Sequence, residues 1–156
     1  MLQNEFVVKV KPGWIKLTYS ALGVKEISFP VKSKPVIVSQ NPPLFMKKLG
    51  KELKAYFCGK KQGFSPPFDF KCFTLFQTKV WKSTKKIPYG ETRPYFWIAK
   101  KIGKSGSARA VGNALGKNPC PIVIPCHRVI KSDGTPGGFS GGRNWKKKLL
   151  HLERLK

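Results

Sequence analysis

The sequence predicts an α+β protein in two parts: a small N-terminal domain with an antiparallel sheet and a helix over residues 1–70, and a mostly α-helical C-terminal domain over 71–156. Three observations carry that reading. Strand-like runs separated by turn residues fill the first thirty positions, helix spacing and capping signals dominate later, and a Pro- and Phe-rich stretch at 63–70 lies between them with turn chemistry. With 156 residues, 40% of them hydrophobic, and four tryptophans, the chain holds one sizeable core or two small ones.

Residues 6–10 and 14–19 flank Pro12-Gly13 as two strands around a turn, and 24–29 supplies a third with partial alternation. Asn41-Pro42-Pro43 opens a helix whose Phe45, Leu49, Leu53 and Phe57 recur every four residues, and Gly59 stops it. Residues 63–70 read as the linker between the two parts. Beyond it, Thr74 and Gln77 form a capping box for a helix from 75 to about 86, which Pro88 closes. A short helix over 94–102, a glycine-containing turn at 103–106, and a second helix from the N-cap Ser107 to about Leu115-Gly116 compose a helix-turn-helix. Arg109 and Asn113 fall on its exposed face, while Ala110, Val111 and Ala114 are small enough for close backbone approach. An apolar strand to Cys126 follows, then a glycine-rich loop over 134–142. The last helix is capped by Asn144, buries Leu149, Leu152 and Leu155, and carries Glu153 as its only acid.

Thirty-one Lys and Arg against seven Asp and Glu give a net charge of +24, more than solubility requires, and point to a polyanion, with nucleic acid the leading candidate. The share is +8 for residues 1–70 and +16 for 71–156, so the polyanion face belongs mainly to the second part. A membrane-surface protein calls for a long basic amphipathic helix, and none dominates. No apolar stretch reaches the roughly 18 to 20 residues that cross a bilayer, and the first residues lack signal-peptide chemistry, so a cytoplasmic protein is expected. Four cysteines without a C-x-x-C pair and only two histidines argue against a zinc site. Reduced thiols are expected, with a Cys58–Cys72 disulfide as the alternative in a hyperthermophile.

The run Ile122-Val123-Ile124-Pro125-Cys126-His127-Arg128-Val129-Ile130 sets a thiol, a base and a cation side by side between two apolar strand-like segments. A thiolate is the nucleophilic form of cysteine, and a base or a positive charge produces it, so His127 and Arg128 are both candidates to activate Cys126. A buried structural cysteine fits the same nine residues. The surroundings are expected to lower the thiol pKa from about 8.5 toward 7, which raises its ionised fraction more than tenfold at neutral pH.

Pro125-Cys126-His127-Arg128-Val129 resembles the active-site motif of the O6-alkylguanine-DNA alkyltransferases. Phe76-Gln77 with Val80-Trp81, Ile87-Pro88-Tyr89-Gly90-Glu91-Thr92, Ala108-Arg109-Ala110-Val111-Gly112-Asn113-Ala114, Asn118-Pro119 with Pro121, Ser140-Gly141-Gly142, and Leu149-Leu150 with Glu153 are similar to that family in order and spacing. The resemblance is strong from about residue 70 to the end. It implies irreversible, single-use transfer of an alkyl group from O6 of guanine in double-stranded DNA to Cys126, with O4-alkylthymine a further candidate substrate and with neither cofactor nor metal. It further implies a monomer.

By the same resemblance, His127 takes the thiol proton through a water, Glu153 holds His127, and Asn118 fixes the turn to the active site. Tyr95 presses on the phosphate backbone and offers its hydroxyl to the flipped base, and Arg109 fills the space left in the stack. Ala108, Ala110, Gly112, Asn113 and Arg128 complete the DNA contact, and Pro121, Val129, Phe139 and Ser140 line the alkylguanine pocket. Phe139 stands where relatives often have Tyr, and Thr92-Arg93-Pro94-Tyr95 replaces a more usual helix start, so Tyr95 is assigned by register. Two alternatives differ in class: a DNA-binding homologue that recognises alkylguanine without transfer, which is expected to lack the cysteine, and a Cys-His hydrolase, which adjacent diverging side chains fit poorly.

Overall fold

The structure is a computed structural model that describes residues 4–36, 41–60, 63–139 and 141–154. The chain divides into two compact units, 1–71 and 72–156. In the first, β1 (Asn4–Val10), β2 (Gly13–Ser20) and β3 (Gly23–Ile27) form an antiparallel sheet in that order. Pairing of Phe6 with Leu17 and of Val8 with Ile15 directs Val8, Val10, Ile15 and Leu17 into the core, as a period of two requires. Helix α1 (Leu44–Phe57) starts after the Pro43 N-cap and packs on β1 through Met46, Leu49 and Leu53. Phe45 is only half-buried and meets Tyr19 edge-on at 6.3 Å; Met46 takes the inward place.

The stretch 63–70, expected as a linker, is instead part of the first unit. Val24 N–H donates to Pro67 O at 2.9 Å, Asp69 N–H donates to Val24 O at 2.9 Å, and the Ser20 hydroxyl donates to Asp69 at 2.7 Å. The Pro-rich chain is extended and so supplies carbonyls to the open edge of β3, where backbone groups need partners. Gly23 makes this approach possible, because a Cβ there would lie 2.5 Å from Pro67 O.

The second unit is mostly helical. Helix α2 (Leu75–Thr84) has the expected capping box, with Gln77 N–H donating to Thr74 Oγ1 at 3.2 Å and Thr74 N–H donating to Gln77 Oε1 at 2.9 Å. Helices α3 (Tyr95–Lys101) and α4 (Ala108–Gly116) form the helix-turn-helix and pack with α2. The buried Trp81 indole donates to Ala114 O at 2.9 Å and locks α2 to α4. Ser107 holds the N-cap position of α4, yet its side chain makes no capping bond. Two-residue strands β4 (Arg93–Pro94) and β5 (Val129–Ile130) pair in parallel and tie the start of α3 to the end of the motif around Cys126.

Helix α5 (Arg143–Arg154) starts earlier than expected. Asn144 lies within its first turn rather than at its cap, and the helical ladder begins with Lys146 N–H donating to Gly142 O at 3.3 Å. Its inward face also differs. Leu149 is buried with Lys146 and Glu153, whereas Leu152 is half-buried and Leu155 lies outside the described residues. Among the described residues no helix is long and apolar enough to cross a membrane.

Candidate active site

The apolar run before Cys126 is not a strand. Pro119, Pro121 and Pro125 remove backbone donors, and the chain instead coils into a buried plug that ends in a 3-10 turn, Cys126–Arg128. Asn118 organises it: its side-chain oxygen accepts from Cys120 N–H at 2.9 Å, and its amide donates to Ile124 O at 3.0 Å and to Cys126 Sγ at 3.1 Å. Ile122 sits at φ 74°, a conformation that costs a β-branched residue about 1–3 kcal/mol. Its burial at 1% exposure and the Asn118 bonds around it hold that strain in place.

Behind the turn, His127, Arg128 and Glu153 form a buried charge network. Glu153 Oε1 lies 2.6 Å from His127 Nε2, and Arg128 donates to both carboxylate oxygens at 2.9 Å and to Ile87 O at 2.7 Å. Gly90 N–H donates to the same carboxylate at 3.1 Å. Burial pushes the Glu153 carboxyl up, but the hydrogen bonds and charges of His127 and Arg128 outweigh it and hold the group well below the usual carboxylate range. Burial depresses the His127 pKa, with Glu153 opposing, so the ring is neutral near pH 7. A neutral imidazole that donates from Nε2 to a carboxylate keeps Nδ1 as a lone-pair acceptor, and among the described residues that buried Nδ1 has no partner.

This geometry corrects the placement of Arg128 among the DNA contacts. It is 5% exposed and neutralised by Glu153, and its guanidinium lies over Tyr89 at 5.7 Å. An arginine in that position anchors the acid that orients the histidine. The expected depression of the thiol pKa is corrected as well. Burial raises Cys126 to about 11, against the Asn118 hydrogen bond and the charge of Lys146. The thiolate is therefore not standing ready at neutral pH, and the proton must leave as sulfur reacts.

Lys146 is the residue that sequence reasoning missed. It is wholly buried, and its Nζ donates to Val129 O at 2.5 Å and to Gly138 O at 3.4 Å, with Phe139 beneath it at 5.9 Å. Burial lowers its pKa to about 8, and the nearby Cys126 works in the other direction. The available signal was its place on α5, three residues before Leu149 and seven before Glu153, which is the same helix face.

Cys126 opens on a cavity of about 570 Å³, a size suited to a small-molecule group. Tyr95, Ala108, Arg109, Gly112 and Phe139 line it, so α4 forms one wall and the glycine-rich loop another. Ala110 and Asn113 are exposed on α4 outside this lining. Pro121 and Val129, expected at the pocket, are buried in the packing behind it, and Ser140 lies outside the described residues. All four cysteines are free thiols, Cys58 and Cys72 exposed and Cys120 and Cys126 buried. Among the described residues no cluster of three His, Cys, Asp or Glu gathers to hold a metal ion.

A family model described as 6-O-methylguanine DNA methyltransferase, DNA binding domain, matches residues 75–155. A methylated-DNA--protein-cysteine methyltransferase from Methanosarcina barkeri is 40% identical over 153 residues, covering 94% of each chain. One of the same name from Mycobacterium tuberculosis is 50% identical over 103 residues, which is 66% of this chain and 62% of that protein, so the match spans less than two thirds of that relative. The crystal structure of Mycobacterium tuberculosis OGT in complex with DNA superposes with a TM-score of 0.81 at 35% identity, over 97% of this chain and 92% of that one.

Proposed function

Because the chain belongs to the 6-O-methylguanine DNA methyltransferase family, we propose that it repairs O6-alkylguanine in duplex DNA by taking the alkyl group irreversibly onto Cys126. The observation that carries this reading is the cavity itself: one nucleophilic side chain, Cys126, opens between a recognition helix and an aromatic loop, with the His127–Glu153–Arg128 network behind it. The protein acts as a monomer in the cytoplasm, where its free thiols stay reduced.

The target oxygen faces the interior of the duplex, so the nucleotide leaves the stack at a cost of a few kcal/mol. Arg109, exposed in the first turn of α4, fills the space left behind. Tyr95 lines the cavity, and burial and then the nearby Cys126 raise its pKa, so its hydroxyl remains protonated and donates to the extruded base. Readout through the minor groove carries little sequence information, which suits a protein that meets its lesion in any context.

In the transfer step, sulfur forms a bond to the alkyl carbon as the bond from that carbon to O6 breaks. The thiol proton passes through a water to Nδ1 of His127, and Glu153 stabilises the imidazolium that forms, the logic of a triad built from other atoms. Asn118 steers the sulfur through its 3.1 Å contact. The ammonium of Lys146 supports negative charge on sulfur as it develops, a positioning role. Guanine leaves with its electron pair on O6, and the Tyr95 hydroxyl donates toward the base.

Incubation with an O6-methylguanine duplex adds the mass of one methyl per chain, and peptide mapping places it on Cys126. Repeated turnover, or a methyl on Cys120, overturns the mechanism.

A further inference from the structure

We propose that the outward face of α5, together with Lys131, is a second phosphate-binding surface, which holds the DNA backbone next to the nucleotide lodged at Cys126. The inference rests on the reading of the chain as a DNA alkyltransferase. Lys147, Lys148, His151 and Arg154 are all exposed and fall at offsets of one, four and seven along the helix, opposite the buried face of Lys146, Leu149 and Glu153. Such spacing places them on one side of α5.

Glu153, the only carboxylate of α5, is turned inward to His127 and Arg128, and Asp133 of the neighbouring loop, which accepts from the Thr135 amide and hydroxyl at 2.9 and 2.6 Å, acts on Lys131 rather than on α5. Among the described residues no ion pair includes any of the four. Arg154 in the last turn suits the helix dipole and Lys148 lies over the Trp145 ring at 5.0 Å, but neither contact explains the adjoining exposed Lys147 or the joint charge of the three. An opposite charge brought by a ligand accounts for it.

The position of this face identifies the ligand. The four side chains line a groove of about 570 Å³ with Gly134 and Pro136. Pro136 and Lys147 also line an adjoining hollow of about 260 Å³, which shares Lys131, Gly137 and Gly138 with the Cys126 cavity. The three hollows therefore adjoin, with Lys131 at the first junction and Lys147 at the second, from the Cys126 cavity to the end of α5. The α4 wall belongs to the first cavity alone, so these grooves lie on the loop side of the Cys126 cavity, within reach of the backbone of a nucleotide lodged there. From Lys147 to Arg154 the helix rises about 10 Å, the axial length of about three phosphates of one strand. Lysine and arginine on phosphate fix register without reading sequence, which complements the recognition helix.

The test is the salt dependence of binding to an O6-methylguanine duplex. The variant K147Q/K148Q/R154Q should lose about two to three from the slope of log K against log salt, since each neutralised phosphate contributes about 0.9. Lys147→Gln alone, at the junction of the two grooves, should lose about one. The control K47Q/K51Q/K54Q removes the same charge from exposed positions of α1 and should keep nearly the parent slope. A parent slope in the α5 variants, or an equal loss in the control, overturns the proposal. Failure of the unsubstituted protein to accept an alkyl group on Cys126 from O6-benzylguanine overturns instead the transfer reading on which it rests.

Discussion

At Cys126, burial raises the thiol to about 11 while the Lys146 charge and the Asn118 amide pull the other way. Cysteine labelling by a small haloacetamide should therefore climb with pH up to about 11, read at Cys126 by peptide mapping because the exposed Cys58 and Cys72 also react. Lys146→Met should slow labelling at pH 7 about tenfold, the equivalent of one pKa unit, and Lys146→Arg should restore part of it. Lys146 loses its proton as pH rises through about 8, so the gap between parent and Lys146→Met should narrow above that pH. A constant gap would give Lys146 a packing role only. The chemistry at this scale was partly legible in the sequence. Cys126, His127, Glu153 and Asn118 stand in a recognisable order, and the structure brings them together. Lys146 went unmarked and Arg128 was placed on the DNA by resemblance, since in a chain of net charge +24 a buried cation has no mark of its own, and only the carboxylate and carbonyls that receive the two show their place.

Among the elements, helices whose ends are written in capping residues and turn residues were legible, and α2 with its Thr74–Gln77 box is the clearest. The Ile122–Val123–Ile124 run was not. Its composition is that of a strand, but three prolines and the side chain of Asn118 satisfy the backbone by another route, with Ile122 forced to φ 74°. The glycine-rich loop illustrates how an element shapes the pocket. Gly137 lies at φ 73°, and a Cβ there would approach the Tyr95 hydroxyl to 2.8 Å. Gly137→Ala should therefore strain the loop by about 1 kcal/mol and displace Tyr95 from the cavity wall. Single-turnover transfer from duplex DNA should slow about tenfold or more, while helix content by circular dichroism stays the same. A parent rate would remove both Gly137 and Tyr95 from the path of the base.

On the scale of the whole molecule, the nucleophile has been built into the core. Cys126 is 4% exposed, its sulfur accepts from Asn118, and its turn packs against α5, so the residue consumed by the reaction also holds the second unit together. A methyl on sulfur extends into the cavity, but the new C–S–C angle turns Sγ within the packed turn, and a shift of this kind costs about 1–3 kcal/mol. It also weakens the Asn118 bond, because a thioether is a poor acceptor. For a unit of this size each kcal/mol moves the melting temperature by about 4–8 °C. The alkylated protein should therefore melt roughly 5–20 °C below the unreacted one in a scan of the purified chain, with the larger shift for benzyl than for methyl. Cys126→Ala, incubated with the same DNA and then freed of it, should show no such change. Equal melting temperatures before and after alkylation would mean that the turn yields to the new group at no cost, and that spent protein is as durable as fresh.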